Sequence, residues 1–315
     1  MKTPASNKKS WKANSRLRKS IPLYLFMVMP ILWYILFCYV PMFGNIIAFK
    51  DYNSFLGVFN SPWLEDPLEH FKAFLTNKGL FWDVVFKNTL LVGSVTTVIT
   101  FVVPIALALL FNELRLERYR KTLQTISYMP YFVSTVAIVN IALTMLAQSD
   151  GVINNLLELL GQERIDFINQ PEWFLPIYII LNLWRGAGWS TIIYTSAMTS
   201  IDPQLYESAE LDGASRFDRI WHITLPGIMP TIIIMMILAI PGILSGDLDM
   251  IMLLQTPGNS SISYTMPMYI YDKGIYGSHE YSYTTAVGLF MSVLNLVLIW
   301  IANKVSSKVS ETSLF

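Results

Sequence analysis

Long apolar stretches without an acidic or basic side chain are the feature that most constrains how this 315-residue chain folds. Five such stretches, each at least 23 residues long, lie at 20–49, 88–112, 122–149, 220–246 and 281–303. A helix needs about 20 residues to cross the hydrocarbon core of a bilayer. A sixth stretch, 173–198, has the required length and contains one charged residue, Arg185. The sequence therefore predicts an all-α integral membrane protein with six transmembrane helices.

The composition excludes several other classes of protein. Charged residues make up only 14% of the chain, whereas soluble domains average about 25%. Lysines plus arginines and acidic residues are equal in number, 22 of each, so no excess positive charge indicates a nucleic-acid partner. A single cysteine, Cys38, excludes a disulfide framework, and three histidines spread along the chain offer little for a metal site. We therefore predict no metal site and no nucleic-acid binding.

The distribution of charges predicts the orientation in the membrane. Seven lysines and arginines precede residue 20, and the positive-inside rule places this segment in the cytoplasm. With six spans, the cytoplasmic segments then hold 15 basic and 8 acidic residues, and the external segments hold 6 and 14. We predict a basic cytoplasmic tail at 1–20, a transmembrane domain at 21–303 and a second cytoplasmic tail at 304–315, in a bacterial plasma membrane.

An uncharged run at 250–271 has the length of a seventh span but not the chemistry of one. Its middle reads Pro-Gly-Asn-Ser-Ser at 257–261, and such turn residues would leave backbone groups unsatisfied in hydrocarbon. We interpret this run as an external loop.

Between the fourth and fifth spans, residues 200–226 form a cytoplasmic loop with clear helix signals. Asp202 is a helix-capping residue, and Pro203 after it suits the first helical position. Gly213 suits the left-handed conformation that ends a helix, and Ser215 can cap a second short helix. The sequence predicts a helix of about ten residues under the membrane. An ordinary amphipathic loop helix is one reading of this segment, and a docking element is the other.

The spacing Glu207-Ser-Ala209, then Gly213, then Ile223-x-Leu225-Pro226, resembles the EAA loop of permeases from binding-protein-dependent ABC importers. Ser208 departs from the second alanine of that motif, which is a small change. Further segments are similar to the sugar-permease branch, and within it to the Lpl-B-like group that serves complex oligosaccharides: Phe86-x-Asn88-Thr89, Met129-Pro130, Asp150-Gly151 with Asn154, and Trp184-Arg-Gly-Ala-Gly-Trp189.

The resemblance implies the type I ABC importer permease fold and a transport subunit that is not an enzyme. It implies that the loop docks on a cytoplasmic ATPase, and these residues are expected to couple ATP hydrolysis to transport: Asp202, Glu207, Ser208, Ala209, Asp212, Gly213 and Arg216. It also implies a second homologous permease subunit, two ABC ATPase subunits, an extracellular solute-binding protein or lipoprotein, and an oligosaccharide as cargo.

The chain has no Gly-x-x-x-x-Gly-Lys-Ser/Thr phosphate loop, so it is not expected to hydrolyse ATP by that chemistry. We expect no cofactor in this chain, with ATP and Mg²⁺ bound by the partner ATPases.

Charge and aromatic residues within the spans suggest where a substrate passes. A cation in a bilayer costs at least about 2.5 kcal/mol, so Arg185 should face a cavity or a partner group. It either contacts an acidic sugar or pairs with a carboxylate or helix-end carbonyls of the partner permease. Aromatic rings stack on sugars, and polar side chains in spans bind hydroxyls or hold helices together. The candidate path residues are Asn140, Asn182, Trp184, Arg185, Trp189 and Tyr194.

Three other functions remain as alternatives. An ABC importer permease for peptide, phosphate or polyol would have the same architecture, and only the resemblance to the oligosaccharide group argues against it. An ion-coupled secondary transporter is expected to have intramembrane acids and inverted repeats, and neither is evident. An intramembrane enzyme needs paired carboxylates, or Ser and His, at membrane depth, and the predicted spans contain no acidic residue.

Overall fold

The computed structural model describes residues 20, 22, 24–114 and 116–310, and this part of the chain is mostly helical, with one isolated β-bridge between Lys50 and Trp63. Residues 1–19 of the predicted basic tail and 311–315 of the C-terminal tail lie outside the described residues. The helices are α1 Tyr24–Phe49, α2 Gly57–Asn60, α3 Glu69–Thr76, α4 Lys78–Asn112, α5 Glu117–Phe132, α6 Thr135–Leu146, α7 Val152–Leu159, α8 Pro171–Met198, α9 Pro203–Leu211, α10 Arg216–Leu254, α11 Ser260–Ser263, α12 Met266–Tyr271 and α13 Tyr281–Ser310.

Four of the described helices, α1, α4, α10 and α13, are long and apolar enough to cross a membrane. α5 and α6 meet at an angle of 98° and make a fifth crossing if they form one broken span. α8 has 28 residues, which at 1.5 Å per residue is about 42 Å and long enough to cross. It is less apolar than the other four because it carries Arg185 and several polar residues. Length and composition thus support four or five spans, and the sixth predicted span depends on α8.

The span predicted at 122–149 is not one straight helix. Pro130 sits at the start of a short 3-10 turn, and Val133 leaves the helical conformation. Ser134 then caps α6 by accepting a hydrogen bond from the backbone N–H of Ala137 at 3.3 Å. A proline without an N–H followed by a capping serine is a strong stop-and-restart signal, which explains the sharp bend.

The interpretation of 250–271 as an external loop was only partly correct. α10 continues to Leu254, with breaks at 240–241 and 246–247. Beyond it, α11 and α12 pack onto the bundle, with Asn259, Ser263 and Thr265 buried. The turn chemistry is present, and the Asn259 amide and the backbone of Ser261 and Met266 bond to other parts of the chain.

We call the end of the helix bundle that carries residues 200–226 the loop end, and the opposite end the far end. One core cluster joins α4, α6, α8 and α10 toward the far end, and it includes Val92, Ile138, Tyr178 and Met250. A second cluster joins α1, α3, α4, α12 and α13, and it includes Phe74, Phe81, Tyr269 and Val287. A third lies at the loop end, where Ala108, Tyr194, Met198 and Ile228 meet.

Glycines allow the closest contacts between helices. A Cβ at Gly93 of α4 would lie 1.8 Å from the carbonyl oxygen of Ile243 in α10. A Cβ at Gly188 of α8 would lie 2.0 Å from the carbonyl oxygen of Ser127 in α5. Small residues at such crossings let helix backbones pack directly, as is common in membrane proteins. α8 is therefore held tightly against α5, and α4 against α10.

Candidate functional site

A half-buried ion pair joins α8 to the far end of α10. Nη1 of Arg185 lies 3.0 Å from Oδ2 of Asp247, with 31% of the arginine side chain and 26% of the aspartate side chain exposed. Arg185 is the charged residue that the sequence predicts within the fourth span. The carboxylate offsets the cost of holding this cation among apolar helices.

Asp247 is fixed by its own surroundings. Gly246 before it has φ +54°, a conformation that favours glycine. The other carboxylate oxygen of Asp247 accepts a hydrogen bond from the backbone N–H of Met250 at 3.1 Å. Its backbone N–H donates to the hydroxyl of Tyr178 in α8 at 2.9 Å. The carboxylate is therefore held in place before any ligand arrives.

This pairing differs from the structural alternative for Arg185, which placed the carboxylate on a partner permease. The carboxylate belongs to the same chain, 62 residues further on. No local pattern predicts this pairing, because a helix break at Gly246 decides where Asp247 points. Nε of Arg185 is buried and has no hydrogen-bond partner among the described residues, so the guanidinium retains a donor that Asp247 does not use.

An aromatic group lies next to this pair along α8. The ring of Trp189 stacks on Tyr131 with centroids 4.6 Å apart and planes within 5°. Phe132 meets the same indole edge-on at 5.7 Å. Trp189 and Tyr131 remain partly exposed. Trp189 therefore has an aromatic neighbour that the sequence did not predict, at the point where α5 ends.

The other predicted path residues are not all brought together. At 3.6 residues per turn, Asn182 and Trp189 lie within about 60° of Arg185 around α8, whereas Trp184 lies to one side and Tyr194 on the opposite face. Tyr194 is 2% exposed and belongs to the loop-end core cluster. The Asn182 amide donates to the backbone oxygen of Tyr178 and to the sulfur of Met250. Asn140 lies exposed on α6.

The 200–226 loop has the helix signals that its sequence predicts. The Asp202 carboxylate caps α9 by accepting from the N–H of Gln204 at 3.0 Å, and Pro203 is the first helical residue. Gly213 has φ +78°. Ser215 and Asp218 form a reciprocal capping box at the start of α10. The predicted caps and the stop are therefore confirmed, and α9 has nine residues.

α9 is tied to the foot of α10 by a hydrogen bond that sequence reasoning missed. The hydroxyls of Tyr206 and Thr224 lie 2.9 Å apart, and Thr224 is fully buried. Glu210 and Arg219 form a looser pair at 3.6 Å. The side chain of Ile201 packs where Gly227 leaves room. A hydrogen bond, a looser ion pair and an apolar contact therefore join the loop to α10.

The remainder of the loop is exposed. Ala209 is half-buried, and the other predicted coupling residues are exposed: Asp202, Glu207, Ser208, Asp212, Gly213 and Arg216. Two apolar side chains accompany them, Leu211 at 90% exposure and Phe217 at 75%. Large apolar side chains beside charges in a rigid loop are typical of a protein-binding surface. Sequence reasoning missed Phe217. Its position two residues after the capping Ser215 could have placed it at the start of the second helix.

Among the described residues, no group of three or more His, Cys, Asp or Glu side chains is placed to hold a metal ion.

Comparison with known proteins agrees with this geometry. Residues 105–311 match the family described as "Binding-protein-dependent transport system inner membrane component". The chain therefore belongs to this family. It is 41% identical over 293 residues to the polygalacturonan/rhamnogalacturonan transport system permease protein YteP of Bacillus subtilis (strain 168), covering 93% of this chain and 90% of that protein. It is 39% identical over 306 residues to protein LplB of the same strain, covering 97% and 94%.

Two solved structures are similar over nearly the whole chain. One is a bacterial ABC transporter involved in the import of the acidic polysaccharide alginate, with 37% identity, a TM-score of 0.85, and coverage of 96% of this chain and 100% of that chain. The other shows a bacterial alginate ABC transporter in complex with a periplasmic protein that holds an alginate pentasaccharide, with 37% identity, a TM-score of 0.85, and coverage of 95% and 99%.

Proposed function

We propose that this protein is a permease subunit of an ATP-driven ABC importer that moves acidic oligosaccharides into the bacterial cell by alternating access. Family membership and the oligosaccharide permeases among its relatives support the transport role. The cargo class is carried by one observation, the arginine of α8. Arg185 is paired through Nη1 only, and 31% of its side chain is exposed, so the guanidinium has donors that Asp247 does not use. A uronate carboxylate is the ligand group that such a donor suits.

The proposed path for the cargo follows one face of α8. Arg185 would meet a carboxylate, and the stacked pair of Trp189 and Tyr131 would meet the C–H face of a sugar ring. Asn182 lies near the same face, and Trp184 and Asn140 have exposed surface from which they would reach a ligand in the shared cavity. The burial of Tyr194 favours a packing role for that residue.

The proposed coupling runs along α10. This element begins at the 200–226 loop, where Thr224 meets Tyr206, and extends to the far end, where Asp247 meets Arg185. An ATPase subunit that moves α9 would thereby move α10 at its foot. The breaks at 240–241 and 246–247 supply places at which α10 can bend. The ion pair at the far end would then open or close with the ATPase cycle.

The complete importer in this proposal has six spans in this chain, counting α8 and the bent pair α5 and α6. Both termini and the 200–226 loop are cytoplasmic, as the charge distribution favours. A second homologous permease completes the cavity, two ABC ATPase subunits bind the loops, and those subunits hold ATP and Mg²⁺. An extracellular binding protein delivers the cargo, and the solved complex of a relative with a periplasmic protein supports this arrangement.

Uptake by the reconstituted importer tests the cargo class. The importer is co-purified with its partners and placed in vesicles with the binding protein, and uptake of trigalacturonate is compared with uptake of its neutral methyl ester. Arg185→Ala is expected to reduce trigalacturonate uptake at least about tenfold, because a hydrogen bond to a charged group contributes about 1.5–3 kcal/mol. Uptake of the ester should change much less.

Arg164→Ala is a matched control for this experiment. Arg164 has the same exposed fraction, 31%, and is also paired with a carboxylate, that of Glu158 at 2.7 Å. Any loss that it causes should be equal for the acid and the ester. Equal losses in Arg185→Ala as well would assign that residue to structure alone. Preferred uptake of a peptide or polyol by the wild-type importer would replace the oligosaccharide cargo.

A further inference from the structure

An open cavity of about 220 Å³ lies at the loop end, where its lining includes Thr199, the residue that precedes the 200–226 loop. It sits between the end of α4, the first half of α5 and the last turns of α8. The residues that line it are polar or charged: Asn112, Arg120, Lys121, Gln124, Thr195, Ser196 and Thr199. Nothing in the coupling or in the path described above uses this cavity.

Several donors in this lining have no partner. Within the described part of the chain, no hydrogen bond or ion pair is made by the side chains of Asn112, Arg120, Gln124 or Ser196, although all four border the same space. Lys121 differs, because Glu117 neutralises it at 2.7 Å. Arg120 makes no ion pair of its own, and Glu117 attracts both it and Lys121. The two cations of the lining therefore exceed this single carboxylate by one charge, and the cavity favours an anion.

The threonines supply acceptors. The hydroxyl of Thr195 donates to the backbone oxygen of Thr191 at 3.0 Å, and that of Thr199 donates to the backbone oxygen of Ser196 at 2.7 Å. Since their single protons are occupied, both hydroxyls offer only lone pairs to a ligand. The cavity thus presents donors and acceptors together with a positive charge. An acidic sugar, with a carboxylate and several hydroxyls, complements all three features, whereas a phosphodiester group mainly accepts.

The cavity also continues the face of α8 that carries the ion pair. Ser196 and Thr199 follow Arg185 by 11 and 14 residues, so they lie within about 40° of it around the helix and about 17 and 21 Å further along. Trp189 lies between Arg185 and Ser196 on the same side of α8. The ion pair, the aromatic group and the polar cavity therefore lie in this order along one face of α8.

We propose that this cavity is an exit subsite, in which Arg120 binds a uronate carboxylate of the oligosaccharide after it leaves Arg185. The inference rests on the proposed function, and it adds a second anion-binding point at the loop end of the path. Asn112, Gln124 and the hydroxyls of α8 bind the sugar hydroxyls.

Uptake by vesicles containing the complete importer and its binding protein tests this subsite. Arg120→Gln is expected to lower trigalacturonate uptake about tenfold, as the loss of a charged hydrogen bond predicts, and to leave uptake of the neutral methyl ester nearly unchanged. Arg120→Lys keeps the charge and should restore most of the uptake of the acid. Arg118→Gln removes an exposed arginine from the same helix, outside the cavity, and should change neither.

Each other outcome overturns the subsite and shows where the error lies. If Arg120→Gln lowers uptake of acid and ester equally, the residue has no role in recognising the carboxylate. The same measurement in phosphatidylcholine vesicles, with and without phosphatidylglycerol, tests a lipid. A loss that appears only with the anionic lipid would assign the cavity to a lipid headgroup. If the wild-type importer itself shows no preference for the acid, the proposed cargo fails together with the subsite.

Discussion

The 200–226 loop and the far-end segment, residues 247–272, both connect apolar helices, yet they are built in opposite ways. In the loop, most side chains are exposed and hydrogen bonds serve mainly to cap two helices. In the far-end segment, Asn259, Ser263 and Thr265 are buried. The Asn259 amide bonds to Ile168, and backbone groups of the segment bond to α4. The loop thus presents a surface, and the far-end segment locks helices together.

Asn259 is the centre of the hydrogen bonds that join the far-end segment to the rest of the chain, and we call this network the far-end lock. It is 2% exposed, and its amide donates to the backbone oxygens of Ile168 at 2.9 Å and Leu254 at 3.0 Å. Its carbonyl oxygen accepts from the N–H of Thr256 and the hydroxyl of Ser263. One side chain therefore satisfies four groups from three parts of the chain, which water could not reach.

Two residues of α4 complete the lock. The amide of Asn88 donates to the backbone oxygen of Ser261 at 2.8 Å, and the hydroxyl of Thr89 accepts from the N–H of Met266 at 2.7 Å. Tyr264 donates to the carboxylate of Asp272 at 2.7 Å, and burial, with that carboxylate as the second cause, raises the pKa of the Tyr264 hydroxyl. The hydroxyl therefore remains a donor at all physiological pH values.

The largest expected effect breaks the lock. Asn259→Ala leaves two buried backbone oxygens without a donor, and each such loss costs about 1–3 kcal/mol. We expect a loss of roughly 3 kcal/mol in the free energy of unfolding, together with less assembled importer. Thermal melting of the purified complex measures the loss of stability, and the yield of the complex measures the loss of assembly.

Ser260→Ala is the matched control, because it removes one solvent-exposed hydrogen bond, to the backbone oxygen of Pro257, from the same segment. Its cost should stay below about 1 kcal/mol. If both variants melt at similar temperatures, the far-end segment is an ordinary loop that does not hold the helices together. It would then not differ from the 200–226 loop in this respect.

A smaller effect sharpens the contrast between surface and lock. Gly213 in the 200–226 loop and Gly161 after α7 have nearly equal dihedrals, φ +78° and φ +75°, and both have open space around them. Valine in this conformation costs about 1–2 kcal/mol at either position. We expect Gly213→Val and Gly161→Val to lower stability alike, while uptake and its coupling to ATP hydrolysis fail only in Gly213→Val.

The measurement is the number of substrate molecules taken up per ATP hydrolysed by each reconstituted variant. Normal coupling in an assembled Gly213→Val importer would show that the docking role of the loop is wrong. An equal uptake defect in both variants would show that general strain, and not the docking surface, is responsible.

The same two regions show how far the sequence alone could predict this molecule. The caps at Asp202 and Ser215 and the stop at Gly213 are local signals, in which a side chain bonds to backbone a few residues away, and all three were predicted. The contacts of Asn259 and Asn88 with distant backbone, like the pairing of Arg185 with Asp247, depend on how helices pack. No periodicity within one segment encodes them.

The candidate site divides in the same manner. The two ends of α9 followed from local signals in the loop. The burial of Tyr194 did not follow from the sequence, because Asn182, Arg185 and Tyr194 all look alike as polar positions in one apolar span. Only the contacts of α8 show which face meets the core and which remains open. A residue of the substrate path therefore has to be chosen by the helix face on which it lies, because its residue type alone does not identify it.

The smallest expected effect concerns the hydrogen bond that links the loop to α10. Tyr206→Phe keeps the ring and removes the bond to Thr224, a loss of about 1 kcal/mol. Tyr269→Phe is the matched change at the far end, since its hydroxyl lies 2.8 Å from that of Tyr283. Both variants should melt at a slightly lower temperature.

If the hydrogen bond to Thr224 transmits force, Tyr206→Phe alone should lower the number of substrate molecules taken up per ATP, by at most about fivefold for a loss of 1 kcal/mol. An unchanged ratio in Tyr206→Phe would mean that α9 moves α10 through the packing of Ile201 against Gly227. That result would move the coupling contact from a hydrogen bond to an apolar contact, and the loop would still differ from the far-end segment in presenting its surface to a partner.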